Sequence, residues 1–197
     1  MVRAPSPRAL LLCSWAVLLV ASACSKHAPP AQSAAESEAV ECTAADARGG
    51  APDAATLRTL RQSVEDGPLY ATLAMKGALA ACRVSSKSSA VTVEYAFRDG
   101  GSLRVTHDPR IEYNNQEARF ASPPTEDPAV VLQRVERAAF DGNSGCGIDW
   151  QAQEAETAND DAAATVTVYR GDVCNCQARV RRTASGRVIG LVLRSTC

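Results

Sequence analysis

The chain has 197 residues, with 22 acidic and 21 basic side chains, eight cysteines and few aromatics. Only Arg3 and Arg8 of the basic residues precede Cys24, so 22 acidic groups face 19 basic ones beyond it, a net charge near −3. That balance argues against a nucleic-acid binder or a general binder of anionic membranes, and the length allows one domain plus a tether.

Arg3 and Arg8 form a positive n-region, and Leu10 to Val20 is an apolar run of the length expected in a secretory signal. It is short for a transmembrane helix, which needs about 20 apolar residues. Ala21-Ser22-Ala23 and then Cys24 follow. This segment resembles the lipobox of bacterial lipoproteins, with Ala21 where that family prefers Leu or Val. The resemblance implies cleavage after residue 23, a lipidated Cys24 as the mature N-terminus, and anchoring by more than one acyl chain. Ser25 in place of an aspartate implies sorting to the outer membrane, facing the periplasm. Ala21-x-Ala23 also fits ordinary signal-peptidase cleavage. No domain family is recognised beyond this segment.

Residues 24–41 carry Pro29-Pro30, Ser and Ala without apolar periodicity and read as a flexible tether, with His27 solvated inside it. A single domain is expected over residues 42–197. Once Cys13 leaves with the signal and Cys24 goes to lipid, Cys42, Cys82, Cys146, Cys174, Cys176 and Cys197 remain. An even set in an exported chain reads as three disulfides. Of the fifteen possible connectivities, those joining Cys174 to Cys176 are disfavoured by strand geometry, and twelve stay open. The hairpin geometry below permits Cys174–Cys197, and Cys42–Cys82 with Cys146–Cys176 completes one such set. No CxxC pair accompanies the two histidines, so no metal site and no cofactor is expected.

In the domain, Asp53 reads as the N-cap of a helix carrying Leu57, Leu60 and Val64 on one stripe and ending at Gly67. Pro68 starts a second helix with Leu69, Leu73 and Ala80 toward the core, running to about Cys82. Val91, Val93, Tyr95 and Phe97 alternate with polar residues as a half-buried strand, and Leu103 and Val105 do so in the next. Face matching predicts a three-residue loop, Asp99-Gly100-Gly101, which sets Phe97 against Leu103 and Val93 against His107. His107 then sits at the margin of the core, while Asp108 points to the other face. A third strand is expected from Ile111, interrupted at Asn114-Asn115.

Asp127-Pro128 opens a helix with Val131, Leu132, Val135 and Ala139 on its stripe. Residues 142–147 read as a loop, Ile148-Asp149-Trp150 as a short strand, and 151–163 as an acidic solvated loop without calcium-site spacing. A strand through Val166 and Val168 follows. Cys174, Cys176, Ala178 and Val180 then share one face of the next strand. The last strand, from Val188 to Leu193, is apolar on both faces and reads as central and covered on both sides. No internal repeat is visible. The pattern predicts an α+β fold: an antiparallel sheet of about five to six strands, two to three helices mainly on one side, stapled by disulfides.

Ser144-Gly145-Cys146-Gly147 lacks the nearby histidine and base of a cysteine nucleophile, and no Gly-x-Ser-x-Gly elbow occurs. The most suggestive surface feature is an arginine row, Arg179, Arg181, Arg182 and Arg187 with Arg194, able to grip carboxylate or phosphate groups. Small size, disulfides and a lipid anchor suit a non-enzymatic binding module of the periplasm. Its expected partner is an envelope or secreted protein with acidic surface, bound as an inhibitor, immunity protein or complex accessory would bind. The alternative is an envelope hydrolase whose catalytic residues meet only in three dimensions.

Overall fold

Asp53 begins the first helix as its sequence implies: its carboxylate accepts hydrogen bonds from the backbone N–H groups of Ala55 and Thr56, at 3.0 Å each. The computed structural model describes residues 41–44, 53–139, 146–157 and 164–197. The expected signal peptide, Cys24, the tether and residues 142–145 and 158–163 lie outside the described residues.

Helix α1 (Ala54–Glu65) turns at Gly67 into α2 (Pro68–Ala74), which has Pro68 at its first position. The second helix stops at Ala74, and Cys82 lies instead on a strand, β2 (Leu79–Lys87). Cys82 and Val84 are buried there, with exposed Arg83 between them, the period of two that the small residues Ala80 and Ala81 disguise. Its partner β3 (Ala90–Phe97) buries Val91, Val93, Tyr95 and Phe97. β3 returns through a three-residue loop into β4 (Ser102–Asp108). That loop is Arg98-Asp99-Gly100, one residue earlier than expected, closed by the amide of Phe97 donating to the carbonyl of Gly101 at 2.9 Å. Tyr95 therefore faces Leu103, Val93 faces Val105 and Val91 faces His107, a shift that keeps every apolar residue on its face. Gly100, at φ 93°, takes the left-handed position.

β5 (Tyr113–Arg119) runs without interruption through Asn114 and Asn115, because both neighbours pair with it; Ile111 stands outside it, 54% exposed. Helix α3 (Pro128–Ala139) starts with the Ala129 amide donating to the Asp127 carboxylate at 2.8 Å and buries Val131, Leu132 and Val135. Ile148-Asp149-Trp150 forms only an isolated bridge, Ile148 to Gly171. Part of the expected acidic loop is a strand, β6 (Glu154–Thr157), pairing with β7 (Ala164–Arg170). β8 (Gln177–Thr183) begins after the cysteines: Cys174 and Asn175 take positive φ values, 58° and 44°, in the preceding turn. β9 (Val188–Ser195) follows.

With β1 (Cys42–Ala44) pairing parallel to β2, the sheet has nine strands in the order β1-β2-β3-β4-β5-β9-β8-β7-β6. It is thus α+β and almost wholly antiparallel, but larger than expected and mixed at one edge. The additional strands went unread where polar or small residues occupied both faces of a short segment. Four strands follow α1 and α2, four follow α3, and the two meanders join where their last strands, β5 and β9, pair antiparallel. The repeat is topological and leaves no mark in the residues.

The helices among the described residues cover one face of the sheet. The Tyr95 hydroxyl there donates to Glu65 of α1 at 3.2 Å, Leu69 and Leu73 of α2 are buried, and α3 packs across β8 and β9. β9 is central as expected, but helices cover only its Leu191 and Leu193 side. Disulfides join Cys42 to Cys82, Cys146 to Cys176 and Cys174 to Cys197, at Cα separations of 4.4, 5.4 and 4.4 Å. No helix among the described residues is long and apolar enough to cross a membrane.

Candidate functional site

The second face of the sheet carries the charges. Strand alternation sends the residues between the core positions outward, and register lines them up across the molecule. Thr43, Arg83, Glu94, Arg104, Glu117, Val192, Arg179, Val168 and Glu154 are successive cross-strand partners from β1 to β6. The Glu117–Val192 pair sits where the two meanders meet, and Arg104 and Arg179 occupy equivalent places on either side of it.

Opposite charges hold this row in order. Arg104 approaches Glu94 at 3.4 Å, Arg119 approaches Glu117 at 3.1 Å, and Arg179 approaches Glu156 at 3.7 Å. Arg170 donates to Glu154 at 2.8 Å and to Glu156 at 3.2 Å. Exposed pairs of this kind contribute about 0–1 kcal/mol each to stability, so their main effect is to orient guanidinium groups. Arg194 lies over the Tyr113 ring at 5.5 Å, a cation–π contact on the same face. Val168 is fully buried although it stands in this row, beside Arg170 and between Glu154 and Arg179. Long charged side chains shield aliphatic neighbours in this way. Over β2 to β5 the face dips into a depression of about 470 Å³ floored by Ala81, Ala96 and Ser102 and edged by Arg83, Arg104 and Arg119.

The arginine row read from the sequence divides. Arg179 and Arg181 lie on this face, and alternation along β8 places Arg182 on the other. Arg182 donates to the Thr167 hydroxyl at 3.3 Å, on the helix side. Arg187 sits in the β8–β9 turn, where its amide donates to the Thr183 hydroxyl at 3.1 Å. The period of two along β8 was enough to separate Arg182 from Arg179 and Arg181. Arg83, Arg104, Arg119, Glu94 and Glu117 were missed; the signal available was their alternation with core residues.

His107 is half-buried on the helix side, at the end of the core face. It lines a cavity of about 570 Å³ between α1, α3 and strands β4 and β5, together with Asn114 and Gln116. Asp108 belongs to the other face; hydrogen bonds from Ser89 and from the Arg110 amide hold its carboxyl below the usual carboxylate range. Cys146 is bonded to Cys176 and is no nucleophile in this state. Among the described residues, no group of three or more His, Cys, Asp or Glu side chains is placed to hold a metal ion.

Two polar links tie helices to the sheet. Arg61, Glu65 and Tyr95 connect α1 to β3, with Arg61 reaching Glu65 at 3.0 Å. The Trp150 indole donates to the nearly buried Glu136 of α3 at 3.2 Å and packs 5.2 Å from the Tyr169 ring. Comparison of the chain with protein families, curated proteins and solved structures returns no match. The fold defines the class: a disulfide-bonded α+β protein with one helix-covered and one charged sheet face.

Proposed function

We propose that this protein is a bacterial envelope lipoprotein, anchored through Cys24 and facing the periplasm, whose domain is a non-enzymatic protein-binding module. The observation that carries the reading is the charged sheet face. It extends over both meanders, and its guanidinium groups are oriented by carboxylate partners. An ordered surface with arginines beside small residues suits a protein partner that brings carboxylates to Arg83, Arg104 and Arg179 and a protruding side chain to the depression. Mixed sign along the row favours register-specific docking over diffuse attraction. The hydrolase alternative, centred on His107, would need an acid or base beside the imidazole. The cavity lining around it supplies amides and hydroxyls instead, and the neighbouring Asp108 carboxylate belongs to the opposite face.

The test is site-specific photocrosslinking in cells from Ser102 and Thr106, with Arg58 on the exposed side of α1 as control. One discrete crosslinked protein is expected from the first two positions and none from the third. The double reversal R104E/R179E should cut that product at least roughly tenfold, the loss of about 1.4 kcal/mol, without changing expression or the unfolding midpoint. A product from Arg58 alone, or one indifferent to both reversals, would remove the sheet face from consideration.

A further inference from the structure

The helix-covered face of a sheet in an α+β domain is ordinarily apolar, because side chains there leave water. Here the rule holds along Val93–Val105 and at Leu193, but Gln116 stands between Val105 and Leu193 in the same row. One row further, Val91 is followed by His107, Asn114 and Ser195. His107, Asn114 and Gln116 are half-buried and line the 570 Å³ cavity beneath α1 and α3. None of the three side chains hydrogen-bonds to another described residue. The cavity lies within the size range of small-molecule sites, about 300–1,000 Å³.

We infer that this cavity is a binding site for an uncharged, amide-bearing small molecule, separate from the charged sheet face. Asn114 and Gln116 each present a carboxamide, one donor and one acceptor edge to edge, which is the complement of another amide. His107 adds an imidazole donor or acceptor. Leu60, Val64 and Val135 provide the apolar walls, and no charged side chain occurs among the described lining residues. A ligand with a secondary amide against the sheet and an aliphatic or ring body between the helices satisfies both halves. A peptide unit and an acetamido sugar share that chemistry.

The experiment is heteronuclear NMR of the mature, disulfide-intact protein titrated with two probes, N-acetyl-leucine methylamide and di-N-acetylchitobiose. Shifts confined to amides around the cavity, such as Thr59, Ser63, Gln116 and Ala138, are expected with at least one probe. Response to the capped residue alone assigns the peptide source, to the disaccharide alone the sugar source, and to both a site that reads the amide itself. Q116L should weaken binding about tenfold by stranding ligand polarity against an apolar wall. Leucine beside Val105 and Leu193 keeps the core row apolar, so its thermal midpoint should not fall. N114L provides the same reading at the cavity's outer end. No shift with either probe, shifts elsewhere, or affinities unchanged in both variants would overturn the inference.

Discussion

Gly171 shows how tightly single atoms are held near the disulfides. A Cβ there would lie 2.2 Å from the Cys146 carbonyl oxygen and 2.9 Å from the Cys176 Cβ, and the Cys146–Cys176 bond prevents either from yielding. G171A should therefore cost about 3 kcal/mol, at the upper end of overpacking effects. Gly186, at φ 82° with nothing within 4 Å of its Cβ position, should cost only the left-handed penalty, about 1 kcal/mol in G186A. Urea unfolding of both variants checks the order. A larger loss for G186A would contradict the packing account.

Tyr95 carries a pH prediction. Burial first, and then the Glu65 carboxylate beside it, raise its phenol above the ordinary value of 10. The folded state thus keeps the proton where the unfolded chain releases it. The stabilisation is complete below pH 10 and is lost as pH rises through the folded pKa. Unfolding midpoints measured from pH 8 upward should fall above pH 10, and Y95F should make that fall shallower. An unchanged profile would mean Tyr95 ionises alike in both states.

At the scale of elements, the disulfides and the strand ends support each other. Cys42–Cys82 fastens the three-residue β1 to β2 at directly paired positions. Cys174–Cys197 closes the β8–β9 hairpin at its open end, and the Thr196 amide donates to the Cys174 carbonyl at 2.7 Å beside it. Non-reducing peptide mapping should recover these three bridges and no free thiol. Replacing Cys146 and Cys176 together by serine should cost about 2–5 kcal/mol; a loss under 1 kcal/mol would mean the turn holds itself.

Helix starts were legible because Asp53 and Asp127 act through their neighbours in sequence, and so was the apolar face of β3 and β4. The β3–β4 loop was legible in length and off by one in position. Face parity tolerates a shift of two residues between partners; in the observed register Gly101 pairs with Phe97, where a Cβ would meet Leu73 at 2.9 Å. β2, β6 and the Asn114–Asn115 stretch were not legible as strands, because small or polar residues there blur the period of two, although β2 and β6 pair with the strands next to them in the chain.

For the whole molecule, the relevant fact is the meeting of two four-strand meanders at β5 and β9, which turns separate half-faces into one charged surface. The proposed lipid anchor gives that surface its setting. Mass spectrometry of the mature protein should find acyl chains on Cys24, and an unmodified Cys24 at the N-terminus would remove the anchor while leaving the domain's surfaces unaffected.

By itself the sequence determined the helix caps, the alternation of the clearest strands and the pool of cysteines. These are local, set by backbone geometry and by contacts a few residues apart. Tertiary structure alone decided the strand order and the alignment of Arg83, Glu94, Arg104, Glu117 and Arg179 in one row. It also decided that His107, Asn114 and Gln116 share a cavity. The physical reason is that register is a relation between strands: which residues become neighbours depends on pairings that run from Glu94 with Arg104, 10 positions apart, to Glu117 with Val192, 75 apart.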